Sequence, residues 1–157
     1  MAAVKVRETQ AGDEPELAVM IAALWPDGSM LQHETEAAAM IRTRMNGTLP
    51  GTFFVAEALD RKLIGFIQVG LRSHADGCDM DTPVGFVEGW FVEEQWRGAG
   101  IGRILMMAAE EGARVRQCRE MASDALLDNQ PSLRAHSALG FEVVERCVHF
   151  RKNPTNP

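Results

Sequence analysis

Three glycines fall within one short stretch, Gln95-Trp96-Arg97-Gly98-Ala99-Gly100-Ile101-Gly102, and it limits the fold more than any other part of the chain. It follows an apolar, strand-like run, Phe86 to Val92. It opens a helical pattern in which Ile101, Leu105, Ala108, Gly112 and Val115 recur. That turn is one unit of a chain whose order of strands and helices reads as a mixed α/β domain around one sheet. Glycine lets backbone N–H groups approach an anion without interference from a Cβ atom. The helix N-terminus adds partial positive charge. A phosphate or pyrophosphate is the natural occupant of such a turn.

The net charge of −6 disfavours non-specific binding to nucleic acid. Beside an anion-binding turn it implies that the acid lies elsewhere, facing a cationic substrate, or that it serves solubility alone. With 157 residues, 46% hydrophobic and 24% charged, the chain suits one soluble domain. Cys78, Cys118 and Cys147 are odd in number and widely spaced, with no CxxC pair and no metal-ligand spacing. They read as free thiols in a reducing cytoplasm, and no metal is expected. Met1 to Glu14 lacks the apolar core of a signal peptide. No apolar run reaches membrane-spanning length, so no membrane partner is expected.

Val4 to Thr9 alternates as a half-buried strand does. Asp13, Pro15 and Glu16 form a helix start with the pattern of a capping box, followed by Leu17, Met20, Ile21 and Leu24 at helical spacing. Trp25-Pro26-Asp27-Gly28 ends that helix. A second helix is predicted from Glu34 to Met45. Thr52 to Ala58 and Leu63 to Leu71 read as a hairpin around Asp60-Arg61-Lys62. Ser73 to Pro83 is an acidic loop. Gly89 marks a bulge or a close approach inside the strand Phe86 to Val92. Further on come a strand at Arg119 to Asp124, a helix at Pro131 to Leu139, and last strands at Phe141 to Val144 and Val148 to Arg151. Residues 1–152 are read as a single domain and residues 153–157 as a frayed tail.

In that context, Gln95-x-x-Gly98-x-Gly100 resembles the phosphate-binding signature of the GNAT superfamily of acyl-CoA-dependent N-acyltransferases. Asn129 after the fifth strand, then a helix and Leu139-Gly140-Phe141, extends the resemblance over nearly the whole chain. Narrower blocks are similar to aminoglycoside 6′-N-acetyltransferases. They are Leu24-Trp25-Pro26, Phe86 to Val92, Cys118 to Asp124 with its Met121-Ala122-Ser123-Asp124 ending, Ala138 to Glu142, and Glu145 to Lys152. The resemblance implies a central, mostly antiparallel twisted sheet of about six to seven strands flanked by about four helices. It also implies a homodimer that transfers acetyl from acetyl-CoA to the 6′-amino group of aminoglycosides, a resistance activity.

The resemblance further implies roles residue by residue. Gly98, Ala99, Gly100, Ile101, Gly102 and Arg103 cradle the pyrophosphate; the alternative is a bare strand-to-helix turn. Trp90, Phe91 and Val92 pair with pantetheine through their main chain, and an N–H near Gly89 faces the thioester oxygen. Asn129 bonds the pantetheine arm, or else caps a loop. Glu88, Asp124 and Glu145 are the substrate-facing acids, each otherwise a solvated surface acid. Trp25 stacks a sugar face, or else belongs to the core. Glu88 is the candidate base, direct or through water. The chain has no tyrosine, so His136 is the candidate acid toward the departing thiolate, or else a helix histidine packed near the cofactor. Gly28 stands where family members often carry histidine, and His33 is a candidate to replace it. His74 stands at a substrate-loop tyrosine position, with Asp76, Asp79 and Asp81 nearby. Two other functions stay open: a GNAT enzyme for another small amine, such as a polyamine or amino sugar, and a non-catalytic acyl-CoA-binding module.

Overall fold

The computed structural model describes residues 3–156, and the chain divides into two units, residues 1–124 and residues 125–157. The first unit runs β1 (Lys5–Glu8), α1 (Glu14–Leu24), α2 (Met30–Thr43), β2 (Met45–Asn46), β3 (Leu49–Glu57), β4 (Leu63–Arg72), β5 (Val84–Val92), α3 (Ile101–Val115) and β6 (Glu120–Ser123). The sheet order is β1-β3-β4-β5-β6, with β2 hooked onto β3. Every pairing is antiparallel except β5 with β6, which is parallel. The second unit holds α4 (Gln130–Ala138). A six-stranded, mostly antiparallel sheet with four helices matches the expected architecture among the described residues.

The β3–β4 hairpin closes where the sequence is polar. Arg61 takes a positive φ of 71°, and Lys62 N–H donates to Asp60 Oδ1 at 3.2 Å. Alternation along both strands then sends Phe53, Val55 and Phe66 to one face. There they bury Leu17, Met20 and Ile21 of α1 and Ala37 and Met40 of α2. Each large apolar side chain so buried contributes about 1.5–3 kcal/mol. The opposite face takes α3. Leu105 comes against Gly65 and Ala113 against Gly85, where a Cβ would sit 3.2 and 2.7 Å from them.

The structure corrects four expectations from the sequence. Asp13 stands at the N-cap of α1 but makes no side-chain cap. Its carboxylate instead takes both Nη atoms of Arg7, at 2.7 and 3.0 Å, and Gln10 N–H at 2.8 Å. A bidentate guanidinium outcompetes a neutral N–H for the same oxygens. Glu16 turns away to accept Leu63 N–H at 2.9 Å. Helix α2 begins at Met30, ahead of Glu34, because Ser29 caps it by accepting Gln32 N–H at 3.1 Å. It ends before Met45, which pairs with Pro50.

The buried stripe of α3 is Ile101, Leu105, Met106, Ala109 and Ala113, whereas Val115 is 73% exposed. The helix presents its alanines to the sheet because small side chains allow the close approach at Gly85. Finally, Phe141 to Val144 and Val148 to Arg151 form no strand. Alternation makes a segment suitable for a ladder, but the hydrogen bonds need a partner strand, and none is paired with them. Of the tail, Asn153–Asn156 closes a turn, Asn156 N–H donating to Asn153 O at 3.1 Å, and Pro157 lies outside the described residues.

Candidate active site

The glycine turn uses its three glycines in two ways. Gly98 and Gly100 have φ of +79° and +83°, and a Cβ on either would meet nothing within 4 Å. They are needed for backbone conformation, not for space. Gly102 is needed for space: its Cβ would lie 3.0 Å from Trp90 Cζ2. The indole of β5 thus packs against the first turn of α3. Ile104 N–H reaches back to Gly100 O at 3.2 Å. The N–H groups of Ile101, Gly102 and Arg103 therefore precede the first intrahelical bond, and no acidic residue stands in that turn. The chemistry suits an anion. Gln95, which opens the motif, donates to Glu93 at 2.9 Å.

Upstream, β5 carries the expected irregularity. Gln68 pairs with Gly89 but Val69 pairs with Val87, so Glu88 is the extra residue of a bulge. The bulge resets the alternation. Phe86 and Glu88 point to the α1/α2 side, where Arg72 lies 3.4 Å over the Phe86 ring. Gly89 also opens to that side, and a Cβ there would overlap Trp25 Cη2. Trp90 then points to α3, and Phe91 returns to stack on Phe66 at 6.1 Å. The parallel ladder with β6 ends at Val87–Ser123, while β5 continues to Val92.

Both Glu88 oxygens are held by Arg72, Oε1 from Nε at 3.0 Å and Oε2 from Nη2 at 2.8 Å. The pair is partly open to solvent, with side chains 39% and 22% exposed. Asp124 follows the last β5–β6 rung directly and is exposed, so the register carries it to the level of Glu88. Trp25 caps the C-terminus of α1 and leans on Phe66 at 6.4 Å between centroids. Gly89 is what admits its ring to the strand. Gly28 follows with φ of +92°. His74 is exposed on the loop after β4, its Nδ1 3.1 Å from Ser73 Oγ.

The remaining predicted residues belong to the second unit. Asn129 caps α4, its Oδ1 accepting Ser132 N–H at 3.2 Å. His136 Nδ1 lies 2.8 Å from Ser132 O, an acceptor only, so Nδ1 carries a hydrogen. Its ring meets Phe141 edge-on at 5.2 Å. Glu145 is exposed in the segment after α4. Among the described residues no group of His, Cys, Asp and Glu is arranged to hold a metal ion, and no helix is long and apolar enough to cross a membrane. Burial pushes the Cys78 thiol pKa up, aided by Glu120 and Asp76; burial also raises that of Cys118. Neither is prepared as a nucleophile.

The model of the Acetyltransferase (GNAT) family matches residues 17–141, across both units and the glycine turn. The chain belongs to this acetyltransferase family. Among its relatives are proteins named aminoglycoside N(6′)-acetyltransferase type 1. The one from Stenotrophomonas maltophilia is 37% identical, with 93% of this chain and 91% of that protein covered. The one from Klebsiella aerogenes is also 37% identical, with 94% and 95% covered. A structure of AAC(6′)-Iy with the bisubstrate analogue CoA-S-monomethyl-acetylneamine has a TM-score of 0.86 at 30% identity, covering 97% of this chain and 99% of that one. AAC(6′)-Ih from Acinetobacter baumannii has a TM-score of 0.84 at 30% identity, with 96% and 99% covered.

Sequence reasoning missed the partner of Glu88 in this acetyltransferase. Arg72 is the last residue of β4, one past the predicted strand end at Leu71. Its pairing depends on the bulge, which turns Glu88 toward it. A basic residue on the strand neighbouring a bulged acid is the signal that could have found it.

Proposed function

We propose that this acetyltransferase moves the acetyl group of acetyl-CoA to the 6′-amino group of aminoglycosides. The observation that carries the reading is the juxtaposition on β5: an anion-binding helix start after its C-terminal end, and Glu88 with Asp124 beside its bulge. It is supported by the names of the relatives and by the AAC(6′)-Iy complex with a CoA-containing analogue.

In this reading the N–H groups of the turn, Gly98 to Arg103, bind the pyrophosphate. The main chain of Trp90, Phe91 and Val92 binds pantetheine beyond the last β6 rung, and the amide side chain of Asn129 adds a contact. Backbone N–H at the Gly89 bulge polarises the thioester carbonyl. Glu88 takes a proton from the substrate ammonium, directly or through water. The amine nitrogen then bonds to the carbonyl carbon as the carbon–sulfur bond breaks. His136, oriented by its Nδ1 contact with Ser132 O, gives a proton to the departing thiolate. Trp25 stacks the sugar, the Gly28 turn and His74 border it, and Asp124 and Glu145 bind its other ammonium groups.

The cytoplasm suits three free thiols, Cys78, Cys118 and Cys147. A homodimer suits the apolar segment after α4, where Val148 is 68% and Phe150 93% exposed with no ladder partner. One domain suits a family match that runs through both units.

The test is release of free CoA from acetyl-CoA with kanamycin or tobramycin, followed with a thiol reagent. Release with an aminoglycoside is expected. Release with polyamines alone redirects the reading to another amine. Tight acetyl-CoA binding with no release at all leaves a binding module. Asp124→Asn should raise the aminoglycoside KM about tenfold, the worth of one charge-assisted hydrogen bond. Its acetyl-CoA KM should not move. An unaltered aminoglycoside KM removes Asp124 from the substrate site.

A further inference from the structure

Glu88 is the extra residue of the β5 bulge, and such a residue is left unpaired in the ladder. A long side chain there keeps much of its rotamer freedom unless something else removes it. In this chain the neighbouring strand removes it. The Glu88 side chain lies over Gly70 of β4, where a Cβ would sit 3.5 Å from Oε1 and 3.9 Å from Cγ. From there it meets Arg72, further along the same face of β4, with Nε on Oε1 at 3.0 Å and Nη2 on Oε2 at 2.8 Å. The guanidinium is itself held, its Cζ standing 3.4 Å from the centroid of the Phe86 ring. Phe86 is buried and packs with Val84 and Ala75, so the ring under the cation is a fixed support.

Stability does not account for this arrangement. Both side chains are partly open to solvent, and ion pairs of that kind add little to folding. What the fork does supply is geometry. A guanidinium that bonds both oxygens fixes the plane of a carboxylate, whereas a lysine would act as a point charge on a flexible stem. A carboxylate has about four lone-pair sites. Arg72 takes a site on each oxygen and leaves the others for an incoming ammonium or a bridging water.

We propose that Arg72 is a positioning residue for acetyl transfer: it holds the Glu88 carboxylate in the orientation from which a remaining lone pair receives the proton of the acceptor ammonium. That role rests on the reading of Glu88 as the base. Arg72 then acts on the rate only through Glu88. Its own positive charge stands beside the arriving ammonium, so it adds no attraction for the substrate.

The test is a double-mutant cycle of Arg72→Gln and Glu88→Gln, read by steady-state kinetics with kanamycin A and acetyl-CoA and by a thermal melt of each protein. Arg72→Gln is expected to lower kcat about tenfold, because a base out of line loses part of its contribution. Neither KM rises, and Tm stays at its wild-type value. In the Glu88→Gln background, Arg72→Gln has no further effect on kcat. Arg72→Lys, which keeps the charge without the fork, recovers only part of the loss. A merely structural arginine would lower Tm, and would lower kcat by the same factor in both backgrounds; that result overturns the positioning role. So does a raised kanamycin KM with intact kcat, which would make Arg72 a binding residue. Full activity of Arg72→Lys overturns it too, since charge alone would then suffice. If Glu88→Gln is slow and Arg72→Gln is not, the positioning role falls and the base stands. If Glu88→Gln alone keeps the wild-type kcat, both fall. If spermidine is acetylated and kanamycin is not, the aminoglycoside reading falls, and the same cycle measured on spermidine judges Arg72.

Discussion

Glu88→Gln is expected to lower kcat about a hundredfold or more, the usual contribution of a positioned general base. Glutamine keeps the shape and one acceptor for Arg72 but cannot take the proton. The Michaelis constant for acetyl-CoA should stay at its wild-type value, because the turn at Gly98 to Gly102 is untouched. The fold should also persist. The Arg72–Glu88 pair is partly exposed, and such pairs are worth about 0–1 kcal/mol. Steady-state kinetics with both substrates varied, together with a thermal melt, separates these effects. A kcat equal to wild type would remove Glu88 as the base. A raised acetyl-CoA KM with intact kcat would make it a cofactor-side residue instead.

The largest effect on stability is expected at Arg7. Its guanidinium joins three elements: Asp13 at the start of α1, and Glu57 of β3 at 2.6 and 2.9 Å, from its own place on β1. Side chains of all three are at most 16% exposed. Arg7→Met would leave two sparsely solvated carboxylates without a cation. Breaking a buried pair on one side costs about 3 kcal/mol or more, and a domain of this size loses roughly 10 °C in Tm. Thermal melting at neutral pH checks it; an unchanged Tm would show that the network is not a structural tie.

The pH dependence follows from Asp13. Burial opposes its ionisation, but the Arg7 guanidinium and Gln10 N–H more than offset this, and its pKa falls below the ordinary 3.8. A depressed carboxylate pKa adds stability that is complete above the unfolded value and is lost as pH falls through the folded one. The wild-type protein should therefore lose stability below about pH 4 more steeply than Arg7→Met, and the gap between their Tm values should narrow there.

Much of the site's cofactor side was legible because glycine reports backbone demands locally. Gly98 and Gly100 need positive φ, and Gly89 announces a bulge; neither depends on distant contacts for its meaning. The Gly140 turn was legible for the same reason, and the hairpin at Asp60-Arg61-Lys62 from its run of polar residues between two apolar strands. Asp13 was misread because its local role, capping, lost to a cation arriving from β1. Ser29 was passed over because the residues after it show no early apolar periodicity. The runs after Gly140 have strand-like alternation, yet a strand is a property of two segments, not one.

The sequence by itself determined that a strand turns through glycine into a helix, that the turn favours an anion, and that acids flank the strand. It determined the family as well, through blocks such as Gln95 to Gly100 and Met121 to Asp124. Only the tertiary structure decided the partners. It set Arg72 on Glu88, Trp25 on Gly89 and Trp90 on Gly102. The physical reason is range. Conformational preference acts within a few residues and is written in the chain, whereas pairing of side chains follows sheet register, and one extra residue at position 88 resets it.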